Sequence, residues 1–125
     1  MTRNQIFTYV REKYNTLPEY LWESSPDTAV LRNLSNQKWY GIIMNIPRNK
    51  VGLSGNDKID VLIVKGNPDD VVHIVEMDGF APAYHMNKKH WFAVILEYFT
   101  NQNETIVTGL LEKSYQLSKH KKETE

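Results

Sequence analysis

A chain of 125 residues predicts one domain able to bury a real core, and its 41% apolar and 24% charged content is ordinary for a soluble globular protein. Fifteen basic residues balance fifteen acidic ones, which argues against a protein drawn to nucleic acid by net charge alone. Cysteine is absent, excluding disulfides, thiolate metal sites and cysteine nucleophiles together. The lack of an apolar leader or membrane-length run makes a cytoplasmic protein without a membrane partner the expectation.

The charge is unevenly spread. Residues 28–65 carry Arg32, Lys38, Arg48, Lys50, Lys58 and Lys65 against Asp57 and Asp60, whereas residues 67–80 carry Asp69, Asp70, Glu76 and Asp78 with no lysine or arginine. A dipolar molecule follows.

Thr2 and Gln5 read as a capping box, and Ile6, Tyr9, Val10 and Tyr14 recur at helical spacing, so residues 3–14 predict an amphipathic helix ended by Asn15, Thr16 and Pro18. Residues 15–27 read as a loop in which Tyr20, Leu21 and Trp22 are too apolar to be free; Trp22 is expected to fold over the core or line a groove. Thr28–Leu34 and Lys38–Ile46 predict a hairpin around Ser35-Asn36-Gln37. Pro47–Asp57 is a polar connection. In the strand Ile59–Val64, the Ile59/Val61/Ile63 face is expected to be buried, with Lys58, Asp60 and Leu62 turned away.

Asn67-Pro68 starts a helix by chemistry, with Asn as cap, Pro at the first helical position, and Asp69 and Asp70 where the macrodipole favours them. Asp78-Gly79 stops it. Phe80–Leu96 then reads as two strands joined by a polar turn at Asn87-Lys88-Lys89, the first beginning after Pro82 and the second, His90–Leu96, almost continuously apolar. Asn101 or Asn103 is expected to cap a last helix with the stripe Ile106, Val107, Leu110, Leu111 and Tyr115, and residues 119–125 read as a frayed charged tail. The order α-β-β-β-α-β-β-α, with hairpin-linked strands, predicts a single α+β domain over residues 1–118: an antiparallel five-stranded sheet with helices packed on it.

Pro18-Glu19, Trp22-Glu23, Pro26-Asp27, Lys38-Trp39, Pro47-Arg48 and above all the run Pro82–Trp91, PAYHMNKKHW, give the chain a resemblance to the MmcQ/YjbR family over nearly its whole length. The resemblance implies an α+β fold similar to secretion-chaperone-like and CyaY-like sheets. It also implies DNA binding through a pair of hairpin wings. Glu97-Tyr98-Phe99-Thr100 departs from the pattern in being bulkier than a short turn.

On that reading Lys38, Arg48, Lys50, His85, Lys88 and Lys89 are the candidate nucleic-acid contacts, because Arg48 and Lys50 on one tip and Lys88 and Lys89 on another supply cations for phosphates. The two tips are expected to stand together on one rim. Sequence specificity is expected to be low, since no recognition helix of basic and amide residues is visible. Trp22, Trp39, Tyr84 and Trp91 are candidates for an aromatic groove, set against the commoner outcome that such rings are core. That groove and the sheet face offer the alternative of a protein- or peptide-binding module. A third reading, an enzyme or small-ligand binder, uses His85, His90 and Tyr84. A turn of two or four residues sets His85 opposite His90; a turn of three pairs His85 with Trp91 and His90 with Met86.

Neither histidine has HxH, HExxH or carboxylate companions, so no metal is assigned. Ser24, Ser25 and Ser54 lie outside any GxSxG, Gly52-Leu53-Ser54-Gly55 lacks a phosphate-loop lysine, and helix capping accounts for Asp69 and Asp70. No catalytic residue, enzyme activity or cofactor is therefore assigned. The oligomeric state is left open, with a monomer favoured slightly.

Overall fold

The computed structural model describes residues 1–119, so the expected tail lies, beyond Lys119, outside the described residues. Three helices, α1 (Arg3–Tyr14), α2 (Pro68–Ile74) and α3 (Glu104–Ser118), accompany five strands. These are β1 (Ala29–Arg32), β2 (Trp39–Pro47), β3 (Lys58–Lys65), β4 (Phe80–Pro82) and β5 (Trp91–Ile95). All neighbours are antiparallel and the spatial order is β1-β2-β3-β5-β4. The fold is α+β, as the alternation of elements predicts.

Local chemistry explains the helix starts. The Thr2 hydroxyl accepts the Gln5 N–H while the Gln5 side chain accepts the Thr2 N–H at 2.8 Å, closing the capping box, and α1 then buries Ile6, Val10 and Tyr14. α2 begins at Pro68 with Asp69 and Asp70 in its first turn, but the Asn67 side chain does not cap it; the Asn67 carbonyl accepts the Asp70 and Val71 N–H groups instead. Asn103 likewise stands before α3 without capping it, because its side chain accepts the Thr100 N–H at 2.6 Å. The apolar stripe of α3 is narrower than its spacing implies: Val107 and Leu111 are fully buried, whereas Ile106 is 49% exposed.

The sheet has an apolar layer on each side. Ile6, Val10, Tyr40, Leu62, Val64, Phe92, Val107 and Leu111 belong to the layer between sheet and helices. Val30, Ile42, Val61, Ile63, Ala93 and Ile95 form the other layer, with Val51 from the β2–β3 connection and Ala83 from the β4–β5 connection packed over them. The one-sided expectation for β3 is corrected here: Leu62 and Val64 are as buried as Val61 and Ile63, since helices cover one row and loops the other. Gly66 ends the strand where Phe92 and Val71 close in; an added Cβ would lie 2.9 Å from the Phe92 ring.

A bulge sorts the aromatic residues of β2. Leu31 pairs with Gly41, but the next residue, Arg32, pairs with Trp39, so β2 carries one extra residue. Tyr40 thereby enters the helix-side layer, fully buried, with its hydroxyl on Thr16 at 2.7 Å, while Trp39 joins the opposite layer.

The β4–β5 hairpin differs from expectation. β4 ends at Pro82 instead of starting after it: Phe80 pairs with Val94 and Pro82 with Phe92. Because β4 is the edge strand, the missing proline N–H removes nothing from the ladder. The connection is therefore long, residues 83–90, and neither proposed histidine register occurs. His85 lies in no strand and takes a left-handed φ of 62°.

Candidate functional site

Strand register decides which groups share an end of the sheet. Pro47 pairs with Lys58, so the 48–57 connection leaves one end, and Glu97 follows β5 there. Lys65 pairs with Trp91, and Arg32 with Trp39, so the 33–38 turn, Gly66 and the 83–90 connection leave the other. The expectation of two basic tips on one rim is thus corrected. Arg48 and Lys50 lie at the far end from Lys88 and Lys89, because β2 and β5 both run antiparallel to β3. The residues that do share an end are Lys38, His85, Lys88 and Lys89.

Arg48 is also engaged. Its guanidinium donates to Glu97 at 2.9 Å and to the Ser54 carbonyl at 3.3 Å, and the Glu97 contact pushes its pKa up. Lys50 is exposed. At the opposite end, Lys88 and Lys89 are exposed and make no ion pair with another described residue.

Both connections at that end are held by side-chain amides. Asn87 accepts the Lys89 N–H on its side chain at 2.8 Å and the His90 and Trp91 N–H groups on its carbonyl, while Gly66 N–H donates to the His90 carbonyl at 2.9 Å. The tip bearing Lys88 and Lys89 is therefore tied to the end of β3. In the 33–38 turn, buried Asn33 accepts the Ser35 N–H and donates to the Ser118 hydroxyl at 3.0 Å, and Asn36 donates to the Ser118 carbonyl at 2.8 Å. That turn is thus moored to the end of α3.

Between the 83–90 connection and the segment that precedes β1, on the side of the sheet that carries no α-helix, runs an open groove of about 520 Å³. Ile42, Met44 and Ile46 of β2 form its floor. Trp22 and Trp39 line it from the β1 side, edge to face at 5.9 Å and 84°. Arg32 lies 5.8 Å from the Trp39 ring and pairs with Glu19 at 3.0 Å, which braces that wall. Tyr84, His85 and Met86 line it from the other side, the Tyr84 and His85 rings 3.9 Å apart, and Lys58 stands with Pro47 at the far mouth.

Three of the four candidate aromatics, Trp22, Trp39 and Tyr84, therefore line one groove with His85. Trp91 does not: it is 8% exposed, part of the loop-side layer, with the Lys65 ammonium 5.4 Å from its ring. Met44, Met86 and Lys58 also line the groove and were not singled out by sequence reasoning. The alternation Ile42, Met44, Ile46 could have pointed to Met44. His90 is exposed on the tip and does not line the groove. Among the described residues, no three His, Asp or Glu side chains come together as a metal site requires.

The sequence matches the model of the YjbR family over residues 11–117. The chain belongs to the YjbR family. It is 42% identical over 119 residues to the uncharacterized protein YyaQ of Bacillus subtilis, an alignment covering 95% of this chain and 99% of YyaQ. A Pseudomonas syringae crystal structure superposes with a TM-score of 0.88 at 39% identity, covering 95% of this chain and all of that one. A solution structure from the same organism gives 0.82 at 38% identity, covering 98% and 96%. A Deinococcus radiodurans protein with the domain DUF419 shares the fold alone, at a TM-score of 0.67 and 22% identity over 93% of this chain and 77% of that one. Among the described residues no helix of this YjbR protein is long and apolar enough to cross a membrane.

Proposed function

We propose that this YjbR chain binds nucleic acid with low sequence specificity, using the end of the sheet from which the 33–38 turn and the 83–90 connection emerge. The observation that supports this reading best is the exposure of Lys88 and Lys89, unpaired with other described residues, on a tip that Asn87 holds together and that the His90 carbonyl fastens to Gly66 at the end of β3. Ammonium groups there meet phosphates as point charges. Lys38 and His85 leave the same end and extend the contact. Acidic groups direct it: Asp69 and Asp70 open α2 behind this end, with Lys113 3.5 Å from Asp70, so phosphates are favoured on the groove side and repelled from the helix side.

Neutral net charge keeps such binding modest, and each phosphate contact makes it salt-dependent. Titrating labelled duplex and single-stranded DNA by fluorescence anisotropy at two salt concentrations tests the reading. The double variant Lys88→Glu/Lys89→Glu is expected to weaken binding and to lower the salt slope by about one for each phosphate no longer neutralised. DNA affinity that survives this reversal, or no binding at low salt, overturns it.

A second reading is favoured by one observation. Leu17 is 65% exposed, Tyr20 54% and Leu21 44%, side by side in sequence with Trp22 on the segment that flanks β1. An apolar surface of that kind suits a protein or peptide partner. Capture of a protein partner that is abolished in a Leu17→Ser/Leu21→Ser variant, while DNA binding is absent, would establish this reading over the first.

A further inference from the structure

We propose that the groove beside the basic tip receives an unpaired base, so that single-stranded nucleic acid, not smooth duplex, is the preferred ligand. The inference rests on the nucleic-acid reading above and concerns what the Trp22–Trp39–Tyr84 groove adds to it. The groove is concave, about 520 Å³, with an apolar floor and aromatic rings on both walls. In a duplex the bases are paired and stacked inward, and their flat faces reach such a concavity only after unpairing, which costs a few kcal/mol. A single strand offers those faces freely, and every base has one.

The distribution of charge separates base from phosphate. Among the described residues, Lys58 is the one lysine, arginine, aspartate or glutamate that lines the groove, and it stands at the far mouth; Lys88 and Lys89 stand at the near end. Cations at both ends of an apolar trough suit a strand whose phosphates stay at the rim while a base enters. Anionic phosphate has no partner on the floor, where Ile42, Met44 and Ile46 lie.

Several polar groups that border the groove are already turned to neighbours within the fold. Asn45 borders it, but its amide donates to Asp60 at 3.0 Å. The Ser25 and Thr28 hydroxyls bond each other at 2.6 Å. Stacking on Trp22, Trp39 and Tyr84 beside the adaptable thioethers of Met44 and Met86 accepts purines and pyrimidines alike.

The test compares four probes on the intact chain: a labelled oligothymidylate, the corresponding oligoadenylate, a strand of equal length built of abasic sites, and a blunt duplex. Oligothymidylate and oligoadenylate are expected to bind within a few-fold of each other, at least about tenfold tighter than the abasic strand and tighter than the duplex. They are also expected to quench tryptophan fluorescence. Trp22→Ala and Tyr84→Ala should each cost about tenfold on the base-bearing strands and leave abasic binding unchanged, whereas Tyr84→Phe, which keeps the ring, should bind like the parent. Trp22 is 40% exposed, so its truncation leaves the core intact, and circular dichroism of each variant verifies this. Abasic strand bound as tightly as oligothymidylate overturns the base-in-groove proposal and leaves the electrostatic function standing. Failure of every probe to bind at low salt removes that function as well. An apolar peptide that quenches the tryptophans where the strands do not assigns the groove to a peptide and overturns the proposal.

Discussion

The two faces of the sheet are both apolar, yet only one is closed. On the helix side, Val10, Val107 and Leu111 are fully buried, and hydroxyls sew helix to sheet: Ser114 donates to the Tyr40 carbonyl at 2.6 Å and accepts the Lys65 N–H at 2.9 Å. On the loop side, three separate connections share the cover and leave about 520 Å³ open beside Trp22. A helix presents a regular apolar stripe and seals a row of strand residues at once, whereas loops seal only where their own apolar residues fall. The unsealed remainder leaves room for a ligand against that face of the sheet. Stability should therefore depend on the helix side and binding on the loop side.

The sharpest way to break that contrast is Phe92→Ala. Phe92 is 1% exposed and packs against Gly66 and Phe80, so the cavity left should cost about 3–5 kcal/mol in urea unfolding. A loss below about 1 kcal/mol would show that the helix-side layer is not the closed core described. Next comes Asn33→Ala. This side chain is fully buried, holds Ser35 and Ser118, and its removal strands those partners; about 1–3 kcal/mol is expected, with the 33–38 turn detached from α3. Amide exchange in residues 33–38 should accelerate; unchanged protection would refute the mooring.

Much of this architecture was legible in the sequence. Capping chemistry marked α1 to the residue, and Pro68 with its aspartates marked α2. The strands followed from apolar runs and turn residues. What stayed hidden depends on register. Nothing local states that β2 carries an extra residue at Tyr40, although that residue decides which of Trp39 and Tyr40 faces the groove. Nothing local states that pairing stops at Pro82↔Phe92, which removes His85 from the sheet and lengthens the tip. The error over Arg48 and Lys50 has the same origin: basic connections are visible in a sequence, but the end of the sheet they occupy is set by long-range pairing. Trp22, Trp39 and Tyr84 were recognisable as candidates by type, and their meeting was not, because they come from three segments joined only by the fold.

A pH experiment probes the helix side more gently. Asp60 sits 2.9 Å from Arg3 and 3.0 Å from the Asn45 amide. Burial alone would raise its pKa, but hydrogen bonds from Arg3 and Asn45 and the Arg3 charge outweigh burial and hold the carboxyl below its usual range. A folded-state pKa below the unfolded one gives stability that is present above about pH 4 and is lost as pH falls through the folded value. The parent should exceed Asp60→Asn by about 1–2 kcal/mol at pH 7, and the gap should close below about pH 4. A gap independent of pH would show that the Asp60 charge is not what the fold uses.

The smallest effect on stability is expected at a residue that the binding proposal relies on. Trp22 touches Trp39 edge to face but remains 40% exposed, and the groove beside it is already open, so Trp22→Ala creates no closed cavity. Its cost in unfolding free energy should stay below about 1 kcal/mol, the size of one aromatic edge contact. If it reaches that of Phe92→Ala, the loop side is a second core whose gap is incidental, and the division of labour between the faces fails. If it stays small, Trp22 is held half in solvent by Glu19–Val30 pairing and the Trp39 contact, a placement that stabilises the fold little and leaves an indole face for a ligand.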